Sequence, residues 1–202
     1  MAAPDQSVIT AHLKQLYAEY RHTADVEAKA QFFSPDCRQI CRTMPAFSAI
    51  NRDTIMRYLR ETSGKETEKI QQYAEDPDTT AAICGPEHET ETRTSTPKKS
   101  FYTIRPLADG EMEFGSDETA VPAGFDSVSA IKLRAEKEEW VGMRVDLWDD
   151  EGISRGGERL GMLVKMQYWW KEERGVWSQI LHDILYLGSR DGTEGSQGEI
   201  LE

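Results

Sequence analysis

The sequence predicts an α+β domain, helices first and an antiparallel sheet after, on three observations. Apolar residues recur at helical spacing over the first sixty positions, they shift to strand-like spacing after Ser127, and a long polar stretch separates the two regimes. In chain order, Ile9, Leu13, Leu16 and Tyr20 stand at i, i+4, i+7 and i+11 and predict an amphipathic helix over 7–21. Val26, Ala30 and Phe33 repeat the pattern more briefly, until Ser34-Pro35-Asp36 stops it. A strand over 37–44 closes at Pro45. Asn51 fits the N-cap of a third helix that carries Ile55, Tyr58 and Leu59 on one face and ends near Gly64. Ile50 is placed to staple onto Ile55.

Residues 61–126 are rich in Thr, Glu, Pro and Gly, and 87–96 contain no apolar residue, so this region reads as a polar, acidic insert. Within it only 100–107, with Phe101, Tyr102 and Ile104, predicts a strand. From Ser127 onward strands are expected over 128–135, 140–149, 160–171 and 177–187. The last two form a hairpin joined by Glu172-Glu173-Arg174-Gly175. The tail 188–202 is Gly, Ser and acid and is expected to be disordered. The organisation is thus a single domain over 1–187, with an insert at about 61–126 and an acidic tail.

Charge and composition narrow the function. With 24 Lys+Arg against 36 Asp+Glu the formal net charge is −12, which argues against nucleic acid and against an anionic membrane surface. No apolar run approaches the ~20 residues needed to span a bilayer, and the first residues lack the basic and apolar regions of a secretory signal. If Cys37 and Cys41 share a strand they lie about 13 Å apart at ~3.3 Å per residue, too far for a disulfide. With Cys84 they read as reduced thiols of a cytoplasmic protein. No C-x-x-C is present, and Glu87-His88-Glu89 matches no ligand spacing, so neither metal nor cofactor is expected. The insert holds 15 acids against 6 bases and the tail 4 against 1, while the remainder balances at 17 against 17. A cavity in that neutral remainder suits an uncharged, lipophilic small molecule.

Two features carry chemistry. Pairing Trp170 with Trp177 sets Tyr168 opposite Gln179, Met166 opposite Leu181 and Val164 opposite Asp183, all on one face. Asp183 then sits among Leu181, Leu185 and Val164, an unusual place for a carboxylate. Burial would raise its pKa toward that of a general base; a structural carboxylate paired with an Arg or backbone donors fits the pattern equally well. Along Arg144-Val145-Asp146, strand alternation points Arg144, Asp146 and Trp148 to one side, lining either a polar–apolar pocket or a solvated strand face. His182 neighbours Asp183 but points to the opposite face, and His12 and His22 lie on or beside the first helix.

The order helix–helix–strand–helix followed by a long antiparallel sheet resembles the nuclear-transport-factor-2-like fold in its SnoaL-like branch. The resemblance rests on Phe32 through Pro45, Asn51 through Leu59, Met143-Arg-Val-Asp-Leu-Trp148 and Leu181-His-Asp-Ile-Leu-Tyr186. It implies a cone in which N-terminal helices pack on a curved antiparallel sheet around an apolar cavity. Arg144, Asp146 and Asp183 further resemble the Asp-Arg-Asp triad of limonene-epoxide-hydrolase-like enzymes. By that resemblance Asp183 is the base that activates water, Asp146 the acid that protonates the opening epoxide, and Arg144 the bridge between them. Aligning on Met44-Pro45 puts Cys41 and Thr43 where that family holds its water with Tyr and Asn, and Trp148 and Met166 join them as substrate contacts. The function implied is epoxide opening by acid–base catalysis, with water or an internal hydroxyl as nucleophile. The alternatives are a SnoaL-like polyketide or terpenoid cyclase, isomerase or dehydratase, and a non-catalytic binding or dimerisation module. A homodimer is compatible with all three.

Overall fold

The structure, a computed structural model, describes residues 5–61, 99–150 and 161–202. Helix α1, Gln6–His22, begins where the Asp5 side chain accepts the Ser7 N–H at 3.0 Å, and it buries Leu13, Tyr17 and Tyr20. The short repeat after it forms one stretch of 3-10 helix, Glu27–Phe32. Helix α2 covers 52–61 within the described residues, and Asn51 caps it by accepting the Thr54 N–H at 3.0 Å. Ile50 does not complete a staple; it is 56 % exposed. No described helix is long and apolar enough to cross a membrane.

Five strands form one curved sheet: β1 Phe33–Cys41, β2 Lys99–Pro106, β3 Val141–Asp150, β4 Met162–Glu173 and β5 Val176–Ser189. Their order is β1-β5-β4-β3-β2, antiparallel throughout except that β1 runs parallel to β5. Both faces are covered, which explains the unbroken burial from Gln179 to Asp183. On one face Tyr102, Met143, Val145, Met166, Tyr168 and Trp170 pack against Leu13, Tyr17 and Tyr20 of α1. On the other, Ile40, Trp169 and Leu181 pack beneath Phe114, Phe125 and Ile131.

That second cover is the first departure from expectation. Residues 128–135 are helical, not extended: α4 spans Val128–Lys137, capped by Ser127, whose side chain accepts the Ala130 N–H at 3.1 Å. Val128, Ile131 and Ala135 keep the i, i+3, i+7 spacing of a helix stripe, and Ile131 and Ala135 are its buried residues. A short helix, α3 Asp117–Ala120, precedes it. Residues 99–126, part of the insert expected at about 61–126, supply β2 and half of this layer; the remainder of that expected insert, 62–98 with His88, lies outside the described residues.

The hairpin register is the second departure. Arg174 and Gly175 both take positive φ, 56° and 81°, giving a two-residue turn in which Glu173 faces Val176. Trp177 consequently faces Glu172, and Trp170 faces Gln179. An irregularity between Trp169 and Trp170 then brings Gln167 opposite Asp183 and Tyr168 opposite His182. Asp183 is thereby turned to the α4 face, away from Met166.

The tail differs too. It runs back over the sheet and ends in a bridge to β2, where Tyr102 and Leu201 exchange N–H···O bonds of 2.9 and 2.8 Å.

Candidate functional site

The α4 face carries a polar row across four strands. Arg105 on β2 faces Arg144 on β3, which faces Gln167 on β4, which faces Asp183 on β5. Residues directly opposite in a sheet share a face, so these side chains form one band. Asp146 lies two positions along from Arg144 on the same side.

Asp183 is fully buried. Arg42, just past the end of β1, grips it with a fork: Nε donates to Oδ1 at 2.9 Å and Nη2 to Oδ2 at 2.6 Å. The same Nη2 also donates to the Glu113 carbonyl at 2.7 Å. Burial pushes the Asp183 carboxyl above its ordinary 3.8, and the Arg42 bonds and the Arg42 and Arg144 charges pull part of the way back. Arg144 donates Nε to Asp146 Oδ1 at 2.9 Å and makes no other side-chain hydrogen bond among the described residues. Its two Nη atoms remain open, on a side chain 16 % exposed, while the Asp146 side chain is 2 % exposed.

Beside these pairs Arg105 forks onto Glu111 at 2.7 and 2.8 Å, which holds Glu111 down at about 2. The Glu111 carbonyl in turn accepts a 2.7 Å bond from Gln167 Nε2. Three arginines and three carboxylates thus balance within one layer.

The expected site residues divide between the faces. Arg144, Asp146, Trp148 and Asp183 share the α4 face, where Trp148 stacks on Phe101 at 6.0 Å. Cys41 and Met166 belong to the core on the α1 face. Thr43 is exposed beyond the end of β1, with its hydroxyl 3.9 Å from the Cys41 sulfur. Arg144 does not bridge the two carboxylates; Asp183 has its own arginine. The sequence reading did not single out Arg42, although strand alternation along Arg38, Ile40 and Arg42 would have aimed it at Asp183 once β1 was paired with β5.

His182 lies on the α1 face as expected, bonded to Gln179 and edge-on to Tyr168 at 4.6 Å and Phe33 at 5.1 Å. Burial pushes its pKa down to about 3, so it stands neutral. Cys37 and Cys41 are buried free thiols, and burial pushes Cys37 up. Among the described residues no group of three His, Cys, Asp or Glu is placed to hold a metal ion. A groove of about 400 Å³ lies at the edge of the α4 face between Leu107, Met112, Trp140 and Trp169; none of the charged cluster lines it.

No curated protein matches the chain. A solved structure from Xanthomonas campestris, assigned as a calcium/calmodulin dependent protein kinase II association domain, is similar at 10% identity and TM-score 0.40, covering 95% of this chain and 91% of that one. A likeness at that level bears on neither substrate nor assembly. The SnoaL-like domain family, by contrast, matches residues 2–202. With helices followed by a five-stranded sheet that holds its charged cluster between layers, the chain belongs to the SnoaL-like domain family.

Proposed function

We propose that the protein is a small-molecule acid–base enzyme of the isomerase or cyclase type, working at Asp183. The observation that carries this reading is a wholly buried carboxyl, pushed upward by burial and oriented by the Arg42 fork, on the same sheet face as an arginine with open Nη donors. A raised carboxyl is a better proton acceptor near neutral pH. Asp183 takes a proton from a carbon acid, and the open Nη atoms of Arg144 neutralise the charge that develops on the adjoining oxygen. Arg42 orients the base, and Asp146 fixes the direction of Arg144. Equal numbers of arginines and carboxylates suit an uncharged, lipophilic substrate.

Epoxide opening is the second reading, supported by two carboxylates on one face in different surroundings. There Asp146 would act as acid and Asp183 as base. Thr43, Cys41 and Met166 lie off that face, so the nucleophile would be placed by other groups or carried by the substrate itself.

Incubation in D₂O with enolisable carbonyl compounds, and of candidate epoxides in ¹⁸O-water, separates the readings by mass spectrometry. Asp183→Asn is expected to lose on the order of 10²–10⁴-fold of turnover. Retained deuterium exchange in Asp146→Asn favours the isomerase or cyclase, whereas loss in both variants with ¹⁸O incorporation favours hydrolysis. Wild-type activity unchanged in Asp183→Asn would contradict both readings and leave a binding or dimerisation module.

A further inference from the structure

Asp146 is 1 % exposed although it lies on a sheet face near an edge, and the C-terminal segment passes over its neighbours there. Besides Arg144, its neighbours on that face include Trp148 along the strand, Thr103 and Lys165 directly across, and Arg105 diagonally. Each of the four meets the segment 190–202. Lys165 donates to Asp191 at 2.8 Å and to Thr193 at 2.5 Å. Gly195 is so close to Trp148 that a Cβ there would lie 3.5 Å from Cη2. Arg105 Nη2 donates to Gln197 Oε1 at 3.1 Å, and a Cβ on Gly198 would lie 3.9 Å from the Thr103 Cβ. The segment then rounds the β2 edge to the Tyr102–Leu201 bridge, and the Glu202 carbonyl meets His22 of α1 at 3.1 Å.

This strap has its own shape, and its grip on the body is polar rather than apolar. Thr193 N–H returns to Asp191 Oδ1 at 2.9 Å, Ser196 N–H returns to the Thr193 carbonyl at 3.2 Å, and Gly192 and Gly195 take positive φ, so it is a preformed run of turns. Among the described residues its fastenings to the body include the ion pairs Lys165–Asp191, Arg190–Asp150 at 2.8 Å and Lys99–Glu202 at 3.3 Å, the hydrogen bonds Lys165–Thr193, Arg105–Gln197 and His22–Glu202, and one two-bond bridge. Its apolar anchor is Leu201, since Ile200 is 54 % exposed. A segment with few buried apolar contacts opens at a lower free energy than the strands beneath it.

We propose that residues 190–202 are the lid of the candidate site: the strap lifts from Lys165 and Tyr102 to admit substrate to Arg144 and Asp146, then closes over it. This rests on reading the cluster as the active site. Its test does not use turnover. Carboxyl footprinting with a carbodiimide and glycine ethyl ester, read by peptide mass spectrometry, compares the full chain, Lys165→Ala and a chain ending at Ser189. Asp146 modification is expected to rise tenfold or more without the strap and several-fold in Lys165→Ala, while hydrogen exchange at the Val145 amide stays slow. In the full chain, hydrogen exchange at the Tyr102 and Leu201 amides is expected to outrun that at Val145. Asp146 equally protected with and without the strap would overturn the proposal. So would Val145 exchange accelerating in Lys165→Ala, a loosening of the sheet rather than of the strap, or Tyr102 and Leu201 exchanging as slowly as Val145. Should the lid behave as stated while Asp183→Asn leaves turnover intact, the enzymatic reading fails and the strap remains a moving cover; the reverse result retires only the lid.

Discussion

The two faces of the sheet bury polar groups in opposite ways. The α1 face is aromatic, with Tyr17, Tyr20, Tyr102 and Tyr168 in tilted and edge-on ring contact beside Trp170, and His182 there is kept neutral. Among the described residues the Tyr17 hydroxyl, Trp170 Nε1 and Gln179 Nε2 there are buried without hydrogen-bond partners, as are Gln167 Oε1 and Trp169 Nε1 on the other face. The α4 face buries charge instead and compensates it pair by pair, Arg42 with Asp183, Arg144 with Asp146, Arg105 with Glu111. One face gains stability from apolar contact and loses little by being inert. The other spends stability on desolvated ions, which a solely structural layer achieves as well with apolar residues. That contrast is the reason to place chemistry on the α4 face.

The largest expected effect comes from breaking that compensation. Arg42→Ala leaves Asp183 buried without its partner and should cost about 3 kcal/mol, near the low end for a broken buried pair because Arg42 is itself partly exposed. Urea unfolding measures it, and a cost under 1 kcal/mol would mean that water reaches Asp183 freely.

Next is the pH dependence, in which the faces oppose each other. His182 titrates near 3 in the folded chain against 6.5 when free, so the unfolded chain binds more protons between those values. Stability therefore falls as pH drops from 6.5, by about 2–3 kcal/mol at pH 4.5 from this group. Glu111 and Asp191, both held at about 2, add to the loss only at lower pH. Asp183 has the reverse sign: raised above 3.8, it favours the folded state at low pH and costs stability as pH rises through its folded value. Unfolding curves from pH 4.5 to 6.5 should accordingly flatten in His182→Asn, while Asp183→Asn should remove the loss of stability that sets in as pH rises above 3.8.

Gly142→Ala tests the edge groove. A Cβ there would collide with Leu107 Cδ1 and lie 3.0 Å from Trp169 Cζ3, an overpacking expected to cost about 2 kcal/mol in thermal or urea unfolding. Smallest is Tyr17→Phe, which removes a buried hydroxyl without a partner and should be neutral or stabilise by up to about 1 kcal/mol. Clear destabilisation would show that this hydroxyl is satisfied, by the Tyr168 hydroxyl or by water.

What could be read in advance follows from the range of the forces involved. Helix α1, the Asn51 cap and strands β2, β3 and β4 were legible because periodicity and capping are local. α4 was misread as a strand because Ile131, Leu133 and Ala135 stand at period 2, imitating a strand beside the helical spacing of Val128, Ile131 and Ala135. Asp183 was legible as a buried carboxylate, yet its face was not, since one tighter turn at Arg174-Gly175 and one irregularity decide which side it takes. Arg42 was missed because its partner lies 141 residues away and the pairing of β1 with β5 leaves no local trace. The strap looked like solvated tail because its acids find their cations, Lys165 and Lys99, only after the sheet is built.

The most direct test of the central claim is a crystal structure of the protein carrying whatever small molecule copurifies with it. The account predicts that ligand on the α4 face, an oxygen within hydrogen-bond reach of the Arg144 Nη atoms and a carbon facing Asp183, beneath residues 190–202. A ligand seated instead among Tyr17, Tyr168 and His182 on the α1 face, with the Arg42–Asp183 and Arg144–Asp146 pairs untouched, would contradict it.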